Sequence, residues 1–67
     1  MQAWQKIYST RKPAEASIIQ GMLEENSIPV QVMNKQDSSF NFGDIELYVP
    51  GHLGETAKQL IATNLLN

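Results

Sequence analysis

The sequence predicts an α+β fold with the element order β-α-β-β-α, a two-layer sandwich of one small sheet and two helices. Three observations lead there. Apolar residues recur at helical spacing over residues 13–25 and about 52–66. Three shorter segments, residues 3–9, 30–34 and 44–49, alternate with period two. Proline, glycine and Asn-Ser punctuation separates these segments.

In the first strand Ala3, Gln5 and Ile7 fall on one side and Trp4, Lys6 and Tyr8 on the other. Ser9-Thr10-Arg11-Lys12 is a polar turn. Pro13 suits the first helical position, where its missing N–H costs nothing and its φ is already set. The first helix then places Ala16, Ile19 and Leu23 on one stripe and Ile18 and Met22 on an adjacent one, a broad face for burial. Gly21 inside it is expected to permit close approach to the sheet. Asn26 or Ser27 must take the chain out of the helix, and asparagine is the better left-handed residue. The second strand points Val30 and Val32 one way, Gln31 and Met33 the other. Residues 36–43 read as a loop that nevertheless carries Phe40 and Phe42. The third strand sends Ile45, Leu47 and Val49 inward and Glu46 and Tyr48 outward, and Pro50-Gly51 breaks it. The second helix carries Leu53, Ala57, Leu60, Ile61 and Leu65 on its apolar stripe, with Gly54 weakening its first turn by about 1 kcal/mol.

Both helices must bury their stripes on one face of the sheet. A right-handed crossover between the first and second strands leaves room for the third between them. The expected sheet is therefore antiparallel with order 1-3-2, a ferredoxin-like sandwich lacking its last strand. Its second face is uncovered and the outer edge of the first strand is unpaired, which invites another chain.

Sixty-seven residues make a single domain, 1–67. A chain this short buries only about 60% of its unfolded surface, so disulfides, metal or self-association commonly reinforce it. There is no cysteine and one histidine, which removes disulfides and argues against structural zinc. Self-association is the remaining route. Five basic against seven acidic side chains argue against nucleic acid and anionic membranes as partners. The first residues hold no apolar signal-peptide region, and no window approaches a membrane span of about 20 residues. A cytoplasmic location is expected.

Catalytic chemistry is poorly provided for. His52, the one imidazole, follows Pro50-Gly51 at a helix start, where a solvated or capping role is the simplest account. Asp44 and Glu46 share a strand face but have no acidic neighbour with which to divide acid and base roles. The four glycines form no phosphate-cradling motif. No enzyme activity, cofactor or metal is expected.

Three surfaces are left for function. The uncovered sheet face should carry Trp4, Lys6, Tyr8, Gln31, Met33, Lys35, Glu46 and Tyr48. Its aromatics suit a protein contact, or a base-stacking platform for which the net charge has the wrong sign. Arg11 and Lys12 precede a helix N-terminus, where an anion is attracted; two solvated charges in a turn are the plainer account. Phe40 and Phe42 either tuck onto the domain or close over a ligand.

The residues Ile7-Tyr8, Ala14-Glu15-Ala16, Ile19, Leu23-Glu24, Ile28-Pro29-Val30 and Val49-Pro50, followed by Leu53 and Ala57, carry a resemblance. Over essentially its whole length the chain resembles a small bacterial family of putative prokaryotic signal-transducing proteins. The resemblance implies a fold similar to ferredoxin-like regulators, PII-type nitrogen-signalling proteins among them. The phosphate-binding loops of the PII type have no counterpart here. The family commonly has glycine where this chain has Ser27, so the helix is expected to end one residue earlier, at Asn26.

These readings converge on a non-enzymatic regulatory or interaction module. It would be a homodimer or bind a protein partner through Trp4, Tyr8, Met33 and Tyr48, on the free face or at the sheet edge. The alternative is a sensor of a small anionic metabolite, bound by Arg11 and Lys12 with Phe40 and Phe42 closing over it.

Overall fold

The computed structural model describes residues 3–36 and 43–65. Along the chain run β1 (Trp4–Thr10), α1 (Pro13–Glu25), β2 (Gln31–Asn34), β3 (Ile45–Pro50), a 3-10 turn (Gly51–Leu53) and α2 (Gly54–Leu65). The sheet is antiparallel in the order β1-β3-β2, as the sequence predicts. Phe40 and Phe42 lie outside the described residues.

Alternation in β3 sets the layers. Ile45, Leu47 and Val49 meet Ala16, Ile19 and Leu23 of α1, Ile28, and Ala57 and Ile61 of α2 in one buried cluster. Both helices therefore cover the same sheet face. As the middle strand, β3 is buried on nearly every residue. Gly54 opens α2 beneath the side chain of Gln5, where a Cβ would fall on the Gln5 amide; the missing side chain lets the helix start lie close on β1.

The first helix begins as expected, with Pro13 at its first position after the extended Lys12. Its end differs from expectation. Asn26 is not left-handed; Ser27 is, at φ 64°. The Ser27 N–H donates to Glu24 O and the Ile28 N–H to Leu23 O, each at 3.0 Å, which is the Schellman arrangement with serine in the usual glycine position. Ile28 and Leu23, the apolar pair of that motif, are both buried. Burying Ile28 fixes where the chain must reverse, and this outweighs the local preference of asparagine. Asn26 instead donates its side-chain amide to Met22 O at 2.8 Å.

Three other expectations are corrected. Ile18 is 62% exposed, because the buried arc of α1 is centred on Ala16, Ile19 and Leu23 and Met22 marks its margin. Nothing lies within 4 Å of where a Gly21 Cβ would sit, so this glycine permits no close approach to the sheet. Leu65 is 39% exposed at the end of α2, one turn past the buried Ile61.

The ladder between β1 and β3 contains an irregularity the sequence does not announce. Lys6 pairs with Tyr48 and Tyr8 with Leu47. Two steps along β1 thus match one step along β3, and Ile7 is the extra residue of a β-bulge. Such an insertion reverses the facing of everything after it. Trp4 and Lys6 stay on the uncovered face with Tyr48, whereas Tyr8 and Thr10 turn to the helix side with Leu47 and Ile45. Among the described residues no helix is long and apolar enough to cross a membrane.

Candidate functional site

The uncovered sheet face is built from alternate residues of all three strands. Cross-strand register places Lys6, Tyr48 and Gln31 in one row and Ser9, Glu46 and Met33 in the next. Trp4, opposite Pro50, stands at the end of the face. Trp4, Gln31, Met33 and Tyr48 line an open depression of about 430 Å³ that reaches Val32 at the β2 edge. Trp4 is 44% and Met33 52% exposed, unusually high for side chains of their apolar area.

Beside this depression lies a charged row. The Glu46 carboxylate, nearly buried, accepts a hydrogen bond from Tyr48 Oη at 2.8 Å. Lys35 Nζ stands 3.2 Å from its Oε1 and Lys6 Nζ 3.5 Å from its Oε2. The Tyr48 bond first, and then both lysines, hold the Glu46 carboxyl below its usual range. The same bond pushes the Tyr48 phenol up. A carboxylate satisfied on both oxygens stays ionised at neutral pH and is badly placed to take up a proton. The arrangement fixes side chains; it does not activate one.

Of the four residues expected to form the contact surface, the structure brings together Trp4, Met33 and Tyr48. Tyr8 does not join them. The Ile7 bulge sends it to the helix side, where its hydroxyl donates to Glu15 Oε1 of α1 at 2.6 Å. That bond, supported by one from Thr10, lowers the Glu15 pKa, and it raises that of Tyr8.

Arg11 and Lys12 are exposed in the turn before α1. Arg11 Nε lies 3.7 Å from Asp44 Oδ1, and the Lys12 N–H donates to Thr10 Oγ1 at 3.1 Å. Glu15 already supplies a carboxylate in the first turn of α1, so negative charge is present where an anionic ligand would sit. The residue that organises this corner is Gln36. Its Nε2 donates to Arg11 O at 2.7 Å and to Gly43 O at 3.4 Å, tying the turn to the stem of the β2–β3 loop. Sequence reasoning missed it, since a glutamine in a polar stretch gives no local signal of a contact 25 residues away. The sequence did place Glu46 on this face, and its role as the hub between two lysines follows from the facing of Lys6 and Lys35.

Compared with known families, residues 4–64 match the family model described as "Putative prokaryotic signal transducing protein". No curated protein and no solved structure matches the chain.

Proposed function

Because the chain belongs to the family of putative prokaryotic signal transducing proteins, we propose that it is a non-catalytic regulatory module that contacts protein through the uncovered face of its sheet. The observation that carries this reading is the exposed Trp4 and Met33 around the open depression. Tryptophan and methionine are enriched at the centres of protein interfaces, and tryptophan among their strongest contributors. The flanking Lys6–Glu46–Lys35 row is already paired within the domain. It supplies a polar rim whose charges need little rearrangement on docking. An anionic ligand at the start of α1 is the weaker reading, because Glu15 occupies that position with a charge of the same sign.

The test is a photo-crosslinking amino acid placed at Met33 in bacterial cells, compared with the same group at Ser17 on the exposed side of α1. Discrete adducts to a protein other than this chain are expected from position 33 and not from 17, and Trp4→Ala should diminish them. Identical adducts from both positions, or none from 33, would remove the face from consideration. Stabilisation by inorganic phosphate that disappears in Arg11→Ala would favour the sensor reading instead.

A further inference from the structure

The two sheet edges are unequal, and the inequality points to a specific assembly. Proteins blunt exposed edges with bulges, lysines and prolines. The β1 edge has the Ile7 bulge and Lys6. β2 is short, four residues with Pro29 and Lys35 near its ends, but Gln31-Val32-Met33-Asn34 itself has no bulge, lysine or proline, and every residue in it is exposed, Val32 by 43%.

The direction of each main-chain group of β2 follows from one hydrogen bond. The Lys35 N–H donates to Asp44 O at 3.0 Å, so Lys35 faces β3. Alternation then turns Gln31 and Met33 towards β3 as well, and turns the N–H and C=O of Val30, Val32 and Asn34 outward. Continuing the same register pairs Pro29 with Pro50. Neither carries an N–H, which ends the inner ladder at Gln31. The outer row has no proline, and among the described residues no backbone group pairs with it.

From this geometry we propose that β2 pairs with β2 of a second copy, antiparallel about a two-fold axis through Val32. An outward-facing residue on the axis meets its own copy as a hydrogen-bonded pair, each Val32 donating to and accepting from the other. Val30 and Asn34 pair reciprocally on either side, giving about six main-chain hydrogen bonds. Val32 meets Val32 on the helix side, and Met33 meets Gln31 on the open face. A second copy can offer the same outward row in two-fold register, so each hydrogen bond is made twice. The consequence is a six-stranded sheet with all helices on one side. Its uncovered face doubles from about 14 Å to about 29 Å across at about 4.8 Å per strand, with a Trp4–Met33–Tyr48 depression on each side of the junction. The dimer goes beyond the docking role proposed above and does not depend on it.

Val32→Pro is the discriminating variant. It removes an outward N–H and no hydrogen bond within the chain, and proline is tolerated at such an edge position. Sedimentation should show a two-chain species for the wild type at high concentration. Hydrogen exchange should show Val32 and Asn34 amides whose protection rises with concentration. Val32→Pro should raise the dissociation constant on the order of 100-fold with circular dichroism unchanged, and Val32→Lys should act in the same direction if proline disturbs the fold. Trp4→Ala should leave the dimer intact. A monomer at all concentrations to about 1 mM, which would leave β2 unpaired, would overturn the proposal, as would protection of Val32 that is independent of concentration. A dimer broken by Trp4→Ala but not by Val32→Pro would also overturn it, while leaving the open face as the contact surface.

Discussion

Tyr8 and Glu15 show how one bond can tie two elements together and set a pH dependence. The hydroxyl of β1 donates to the carboxylate of α1 at 2.6 Å. Glu15 has its pKa lowered in the folded chain by this bond. Its contribution to stability is therefore present above the unfolded carboxylate range, about 4, and is lost as pH falls through the depressed folded value. Tyr8 has its pKa raised by the same bond. Its contribution is present below the unfolded phenol value, about 10, and is lost as pH rises through the raised folded value. Both signs agree that the pair is intact across neutral pH. Tyr8→Phe should lower the thermal midpoint most at neutral pH, with the gap to the wild type closing towards pH 3 and above pH 10. A gap that stays constant over that range would show that the variant loses packing rather than this bond. The second such pair, Tyr48 with Glu46, is present in both proteins and cancels in the comparison.

At the level of elements, the end of α1 holds a small amount of recoverable stability. Ser27 sits at φ 64°, a conformation that costs a non-glycine residue roughly 1–2 kcal/mol. Ser27→Gly should stabilise by about 1 kcal/mol after the greater backbone freedom of unfolded glycine is subtracted. For a domain of this size the midpoint should rise by about 4–8 °C, a change read by circular dichroism melting. No rise would mean that the serine makes a compensating contact. This position also marks where sequence reasoning stops. Helix and strand order, the Ala16–Ile19–Leu23 stripe and the inward set of β3 were legible, because each rests on periodicity within a single segment. The choice of Ser27 over Asn26 was not, because it is fixed by the burial of Ile28 against Leu23. The Ile7 bulge was equally hidden: alternation in residues 3–9 runs on unbroken, and only pairing with β3 reveals the extra residue. The candidate site divides along the same line. Alternation puts Trp4, Met33 and Tyr48 on the uncovered face, where the register also has them, and puts Tyr8, just beyond the bulge, on the wrong one.

For the molecule as a whole, stability rests on a core whose largest fully buried side chains are Ile19, Leu23, Leu47 and Val49. Leu47 stands on the middle strand, opposite Tyr8 on one side and Val32 on the other, and has no exposed surface. At roughly 0.05–0.15 kcal/mol per residue the monomer is stable by about 3–10 kcal/mol. Leu47→Ala removes about 2–5 kcal/mol, a large share of that total, so the variant should unfold at a much lower temperature and urea concentration than the wild type. Its cross-strand neighbour Val32, at the exposed edge, should behave differently: Val32→Ala should change the stability of dilute monomer by less than about 1 kcal/mol. If two chains pair through β2, the folded state gains by mass action and the midpoints of the wild type and Leu47→Ala both rise with concentration. Urea titrations at low and high chain concentration separate these contributions. The Leu47 deficit belongs to the folding of each chain and should persist at both concentrations, whereas the concentration-dependent gain should vanish in Val32→Pro. A Leu47→Ala loss under about 1 kcal/mol would contradict its place at the centre of the core.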